Sequence, residues 1–297
     1  MSPSLNPQMT SAQQLPVAVI GATGQQGRSL VDALRELNVP VRALVRNPDS
    51  PAARSLHAAG TEVMKADQED SQSLSDGLAN IAAAFYMTTF EGPDGTAGEV
   101  RRGLAVADAA ARANVPHVVY SSVGGAERET GIPHFESKFQ VEKRLTTLLP
   151  ATILRPTFFM ENLAPQLAPN EEGEIVIRMP MPGDVPLQMI GVRDIGRTAA
   201  RLLLEPSAID GNAIEVAGDE LTLDLVAARA GEAFGVPARF ETIPLQYLGD
   251  EDLQAMFRWF AEGSAYQADL ARSRSLLPDV SDLRSWLVTH RQQALAA

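Results

Sequence analysis

Residues 16–37 read PVAVIGATGQQGRSLVDALREL, and this stretch decides the fold. A short β-rich run, 16–20, stops at Gly21, Gly24 and Gly27 in G-x-x-G-x-x-G spacing. The loop opens directly into a helical pattern in which Leu30, Val31, Leu34 and Leu37 make one apolar stripe. Strand, glycine loop and helix in this order are the setting in which a glycine triplet signals a dinucleotide site. Gly21 permits the tight turn, Gly24 lets backbone approach a pyrophosphate, and Gly27 allows the helix to pack closely on the strand. Thr23, Gln25 and Gln26 complete the loop, where the helix N-terminus offers N–H donors and a positive dipole to phosphate.

The same rhythm continues outward. Strand-like runs at 41–45, 61–67, 81–87, 117–123 and 151–156 alternate with helical patterns at 50–60, 98–115 and 137–149. This predicts an α/β fold, a Rossmann-type doubly wound parallel sheet over residues 15–156, covered on both faces. Past Pro156 the chain carries Pro165, Pro169, Pro180, Pro182 and Pro186 with Gly173 and Gly183, so no long helix or central strand fits there. Helical patterns resume at 192–205 with Asp194 as N-cap, at 221–235 with Thr222, at 251–263, and at 281–295 with Ser281. Residues 157–297 therefore read as a smaller α/β C-terminal domain, mostly helical and loop-rich, with 191–217 able to return to the large sheet. The polar stretch 1–14 lacks Lys, Arg and an apolar core, which predicts a disordered tail rather than a signal peptide.

Composition excludes several classes. The 297 residues contain no cysteine, and the four histidines, His57, His117, His134 and His290, share no metal-binding helix spacing, so no metal site is expected. A net charge of −12 repels phosphate backbones and argues against direct nucleic-acid binding. No run approaches the roughly 18 apolar residues of a membrane span, and a soluble, cytoplasmic protein is expected.

Open α/β sheets bind ligands at the carboxyl ends of their strands. The second strand ends at Arg46, where a carboxylate would suit a free ribose diol and a guanidinium suits a 2′-phosphate, so the expected cofactor is NADP(H). Arg28 is a weaker candidate for the same phosphate. Asp67 and Gln68 end the third strand, placed either for adenine or to begin a turn. Thr88 and Thr89 end the fourth, Ser121 and Ser122 the fifth.

Taken together, GATGQQG (21–27), VRALVRNP (41–48), ADQED (66–70), HVVYSS (117–122), HFESKFQVEK (134–143) and LRPTFFMENL (154–163) resemble the NmrA-like family of atypical short-chain dehydrogenase/reductase proteins, and within it the HSCARG-like NADPH-sensor branch. The resemblance runs from Pro16 to the last helix. It implies a Rossmann domain binding NADP(H) and a smaller domain closing a cleft over the nicotinamide. It also implies that Pro156, Thr157, Phe158 and Asn162 lie along the cleft past the nicotinamide. Independently of the resemblance, Phe158, Phe159 and Met160 offer either apolar walls for a flat ligand or packing between domains, and the strand-end positions of Thr89 and Ser122 place them as cleft residues. The superfamily's Tyr-x-x-x-Lys signature departs here to His134-Phe135-Glu136-Ser137-Lys138. Lys138 is kept as a ribose or substrate contact; His134 replaces the tyrosine, either as an acid with a near-neutral pKa or as a histidine ending a loop. The upstream serine is Ser121 or Ser122.

Two functions fit. One is an NADPH-dependent oxidoreductase whose small-molecule acceptor is quinone-like or otherwise conjugated, so that its proton can come from water. The other is a non-catalytic redox sensor whose cofactor shifts a surface for a protein partner. Sugar-nucleotide epimerisation normally wants the missing tyrosine.

Overall fold

In β1 (Val17–Ile20) every residue is buried, with Val17 and Val19 in one apolar core and Ala18 and Ile20 in the other. A strand buried on both faces belongs in the middle of a parallel sheet. The computed structural model describes residues 15–262 and 265–296, so the tail expected at 1–14 lies outside the described residues.

From β1 the chain runs through α1 (Gln25–Glu36), β2 (Val41–Val45), α2 (Pro51–Ala58), β3 (Glu62–Lys65), α3 (Ser71–Gly77), β4 (Ala83–Met87), α4 (Gly95–Arg112), β5 (Val118–Ser121), α5 (Pro133–Leu148) and β6 (Ala151–Pro156). It continues with β7 (Phe158–Phe159), β8 (Ile175–Met179), β9 (Pro186–Ile190), α6 (Val192–Leu204), β10 (Ala213–Val216), β11 (Asp219–Thr222), α7 (Leu223–Phe234), β12 (Ala238–Thr242), α8 (Glu251–Ala261), α9 (Leu270–Leu276) and α10 (Leu283–Ala296). Seven strands form one parallel sheet in the order β10-β6-β5-β4-β1-β2-β3. Strand order reverses at β1, and the crevice beside such a switch point is where doubly wound sheets take ligands.

Two glycines set how closely α1 is clasped. A Cβ on Gly27 would lie 2.2 Å from the Gly21 carbonyl oxygen, and one on Gly196 of α6 would lie 2.5 Å from the Ser29 carbonyl carbon. Helix α1 is thus held between the β1 turn and α6, with Leu30, Val31 and Leu34 fully buried. Leu37 leaves the expected stripe: the helix ends at Glu36, Asn38 turns the chain at φ 57°, and Leu37 is 58% exposed. Helices α4 and α5 cover the opposite face.

The second half contains more sheet than its sequence suggests. Strands β7, β9 and β11 form one small sheet and β8 pairs with β12 in another, both against a core with α7 and α10. Each is five residues or shorter, and Pro186 stands first in β9, a position where proline is tolerated. Two caps differ from expectation. Gly191 precedes α6, while Asp194 is buried within its first turn and accepts from Ser281 N at 2.8 Å; Asp282, not Ser281, accepts from Ser285 N at 2.8 Å at the start of α10. Thr222 caps α7 as expected. Helix α5 starts at Pro133 rather than near Ser137, since proline is favourable at a first helical position. His134 therefore sits in a first helical turn, not at a loop end.

Substituting Gly27→Ala should destabilise the protein by about 3 kcal/mol, because the clash is with backbone that cannot move aside. Urea denaturation checks this, and a midpoint within error of wild type would contradict it.

Candidate functional site

A groove of 590 Å³ lies over the carboxyl ends of β1 to β4, lined among others by Gly21, Thr23, Gly24, Arg46, Asp67, Gln68, Thr88 and Thr89. The structure thus brings eight of the expected residues together. Gly21 turns at φ +77°. Gly24 has φ −82°, and its Cβ would meet only the Gly21 oxygen at 3.4 Å, so neither backbone conformation nor packing demands a glycine there. The missing side chain keeps the mouth of the loop open. Gly24 also precedes α1 without a side-chain cap, and the first turn holds no acid, which leaves N–H donors for an anion. This loop fits a pyrophosphate.

Arg46 is exposed at the end of β2 and makes no ion pair among the described residues. Arg28 behaves differently: it pairs with Asp32 at 3.1 Å and, with Gln25, lines a separate groove between α1 and α6. Asp67 begins a turn after β3. Its carboxylate accepts from Glu69 N at 3.0 Å, an Asx turn, while the residue lines the groove; Gln68 donates to the Met87 carbonyl at 3.2 Å. Two arginines of α4 pin the loop after β4. Arg101 bridges Glu69 at 2.8 Å and Asp94 at 2.6 Å, holding the Glu69 carboxyl below its usual range, and Arg102 donates to the Thr89 carbonyl at 2.8 Å.

Behind Thr88 lies a buried polar cluster. Glu99 of α4 is 0% exposed and accepts from Lys138 Nζ at 2.6 Å, from Thr88 Oγ1 at 3.0 Å and from Ser137 Oγ. Since the Thr88 hydroxyl spends its hydrogen on Glu99, the Tyr120 hydroxyl, 2.8 Å away, donates to it; burial pushes the Tyr120 pKa up and keeps that proton in place. Lys138 also donates to the Thr88 carbonyl at 2.9 Å.

His134 faces elsewhere. Its ring stacks on Phe90 at 4.7 Å, and Nδ1 pairs with Asp252 of α8, whose second oxygen accepts His134 N at 3.0 Å. Burial and the nearby Lys138 push the imidazole below its ordinary pKa, against the pull of Asp252. Helix α8 is further seated by Trp259, edge-on to Phe135 at 5.3 Å.

The remaining expected residues scatter. Ser121 donates to Gln26 at 2.7 Å, tying β5 to α1 with both side chains buried, whereas the buried Ser122 hydroxyl has no partner among the described residues. Pro156 is buried at the end of β6, and Thr157 donates to the Val216 carbonyl at 3.1 Å. Phe158 packs edge-on to Phe260 in the separate core of the second half, Phe159 leans on the core beneath α6, and Asn162 is exposed. Sequence reasoning did not single out Glu99 or Asp252. In GEVRRG and GDEDLQ both look like acids decorating a helix start, and nothing local betrays their distant partners.

The fold and groove define a Rossmann-type dinucleotide-binding architecture. The family model described as the NmrA-like family matches residues 13–287. The chain belongs to the NmrA-like family. It is 31% identical over 254 residues to an NmrA-like family domain-containing oxidoreductase, FrzB, of Cladobotryum sp., covering 76% of each chain. It is 31% identical over 236 residues to an NAD(P)H azoreductase of Xenophilus azovorans, covering 77% of this chain and 78% of the other. Among solved structures it is similar to NmrA, a negative transcriptional regulator crystallised with NAD and with NADP; for the NAD complex the TM-score is 0.81 at 22% identity, covering 96% of this chain and 98% of that one. Among the described residues no helix is long and apolar enough to cross a membrane, and no cluster of three or more His, Asp or Glu could hold a metal ion.

His134 gives a pH signature. Because its folded pKa is lowered, the unfolded chain takes up the proton first as pH falls through about 6.5, so stability drops toward acid. His117, lowered by burial, adds the same sign. The urea midpoint of His134→Gln should therefore fall less than that of wild type between about pH 7 and 5. Parallel curves for the two proteins would contradict it.

Proposed function

We propose that this chain is an NADPH-dependent oxidoreductase acting on a quinone-like or otherwise conjugated small molecule. The observation that carries the reading is Arg46, an exposed guanidinium without an ion pair among the described residues, at the strand end where a ribose-binding carboxylate would stand in an NAD site. It is positioned to pair with a 2′-phosphate, while Gly21, Gly24 and the first turn of α1 take the pyrophosphate, and Asp67 and Gln68 flank the adenine. Bound NADPH supplies a hydride. Lys138 holds the nicotinamide ribose through an N–H. The relative named as an NAD(P)H azoreductase fits an acceptor of this class. Such an acceptor takes its proton from water, so the tyrosine absent at His134 is not required.

A second reading, a redox sensor without turnover, is favoured by one observation: α8 is docked on the nucleotide-binding half through Asp252 and His134, a contact that cofactor binding could bias toward a protein partner. Following NADPH absorbance with a panel of quinones, azo dyes and enones separates the two. Turnover above background supports the enzyme, and tight binding without turnover on any acceptor supports the sensor.

NADPH should bind more tightly than NADH, and Arg46→Glu should weaken NADPH by about ten- to a hundredfold while leaving NADH unchanged or improved, since one charge-assisted contact contributes roughly 1.5 to 3 kcal/mol. Calorimetric titration of both cofactors measures this, and equal affinities in the unmutated protein would remove the reading of Arg46.

A further inference from the structure

An ammonium group carries three N–H donors. Two of those on Lys138 are fixed by Glu99 Oε1 at 2.6 Å and the Thr88 carbonyl at 2.9 Å. The third has no partner among the described residues, and the Lys138 side chain is 11% exposed. Glu99 sits wholly out of water, which is very costly for a carboxylate that lacks a cation and sufficient donors. It is given both: one cation, Lys138, and two hydroxyls, those of Thr88 and Ser137. Thr88 itself lines the groove, so the cluster connects without a gap to the surface a ligand would touch.

We propose that Glu99 is the positioning residue for Lys138, fixing the ammonium at the carboxyl end of β4 with one N–H left for a hydroxyl of the nicotinamide ribose. This rests on the reading of the groove as an NADPH site. The arrangement also accounts for the departure at His134. In a Tyr-x-x-x-Lys pair the lysine's charge acts on the phenol; here the side chain at the tyrosine position is turned to Asp252, and the counter-charge of Lys138 comes from α4. A merely structural role, knitting α4 to α5, would use the same atoms, but it would act on stability and not on cofactor affinity through Lys138.

A double-mutant cycle separates these roles. NADPH dissociation constants are measured by fluorescence titration for wild type, Glu99→Gln, Lys138→Met and the double variant, with thermal melts alongside. Lys138→Met and Glu99→Gln should each weaken NADPH by about tenfold or more, and the double variant should be no weaker than Lys138→Met within about twofold. Glu99→Asp, which keeps the charge but retracts it, should lie between wild type and Glu99→Gln, and it serves as the test if the stranded lysine prevents Glu99→Gln from folding. Wild-type affinity in Glu99→Gln or in Glu99→Asp overturns the proposal. So does an equal further loss when Glu99→Gln is added to Lys138→Met, whatever the melts show. Wild-type affinity in Lys138→Met overturns it by removing Lys138 from the site, while the Arg46→Glu titration still judges the groove by itself.

Discussion

Among the glycines of the described residues, Gly27 leaves the least room for a side chain, where α1 meets the turn that precedes it. With no side chain at Gly27, helix backbone rests on the carbonyl of Gly21, where a Cβ would come within 2.2 Å. A helix held further off would carry its N-terminal donors away from the end of β1. It would also lose its fit against α6, where Gly196 repeats the device on Ser29. The groove, the anion-binding geometry of the loop and the seam between the first and second halves of the chain all follow from a contact made possible by hydrogen in place of methyl.

A second pattern concerns where negative charge is put. Several carboxylates of this acidic chain, Glu99, Glu142 and Asp194 buried and Glu161 half-buried, sit at joints between segments. Glu99 meets Lys138; Glu142 meets Arg155 at 2.6 Å; Asp194 meets Arg197 at 3.1 Å and Ser281 N; Glu161 accepts Trp286 Nε1 at 2.9 Å and Val192 N at 3.0 Å. Such pairs add little net stability once desolvation is counted, but breaking one strands a charge. They specify which segments meet rather than how strongly. Arg46, by contrast, stands in the groove with its charge uncommitted among the described residues.

The amino-terminal sheet was legible because its signals are local. The glycine spacing, the β-rich runs and the proline and serine at the start of α2 each act within a few residues of themselves. The placement of the glycine loop and of Arg46 at strand ends beside one groove was readable for the same reason, since strand ends fix where the next side chain goes. The strands of the second half were not, because runs such as IVIRM and DELT are four or five residues long and owe their state to partners far along the chain. Glu99 and Asp252 escaped notice on the same grounds. Each is an acid in or next to a helical first turn, a place where acids are common for the dipole alone, and only the tertiary fold turns one toward Lys138 and the other toward His134.

The seventh strand has a consequence for how this protein is made. Strand β10 pairs beside β6, yet it follows Pro156 in the chain by the 57 residues from 156 to 213 (213 − 156 = 57), and α6, which roofs α1, emerges in the same interval. At about 5 to 20 residues per second a ribosome needs roughly 3 to 11 s to extend the chain that far. For that time the β6 edge offers unpaired backbone and the α1 face lies open, both invitations to pair with another nascent chain. Folding of the nucleotide-binding half is therefore completed by residues from beyond it, and a chain released at Pro156 would emerge as a template for aggregation rather than as a smaller working protein.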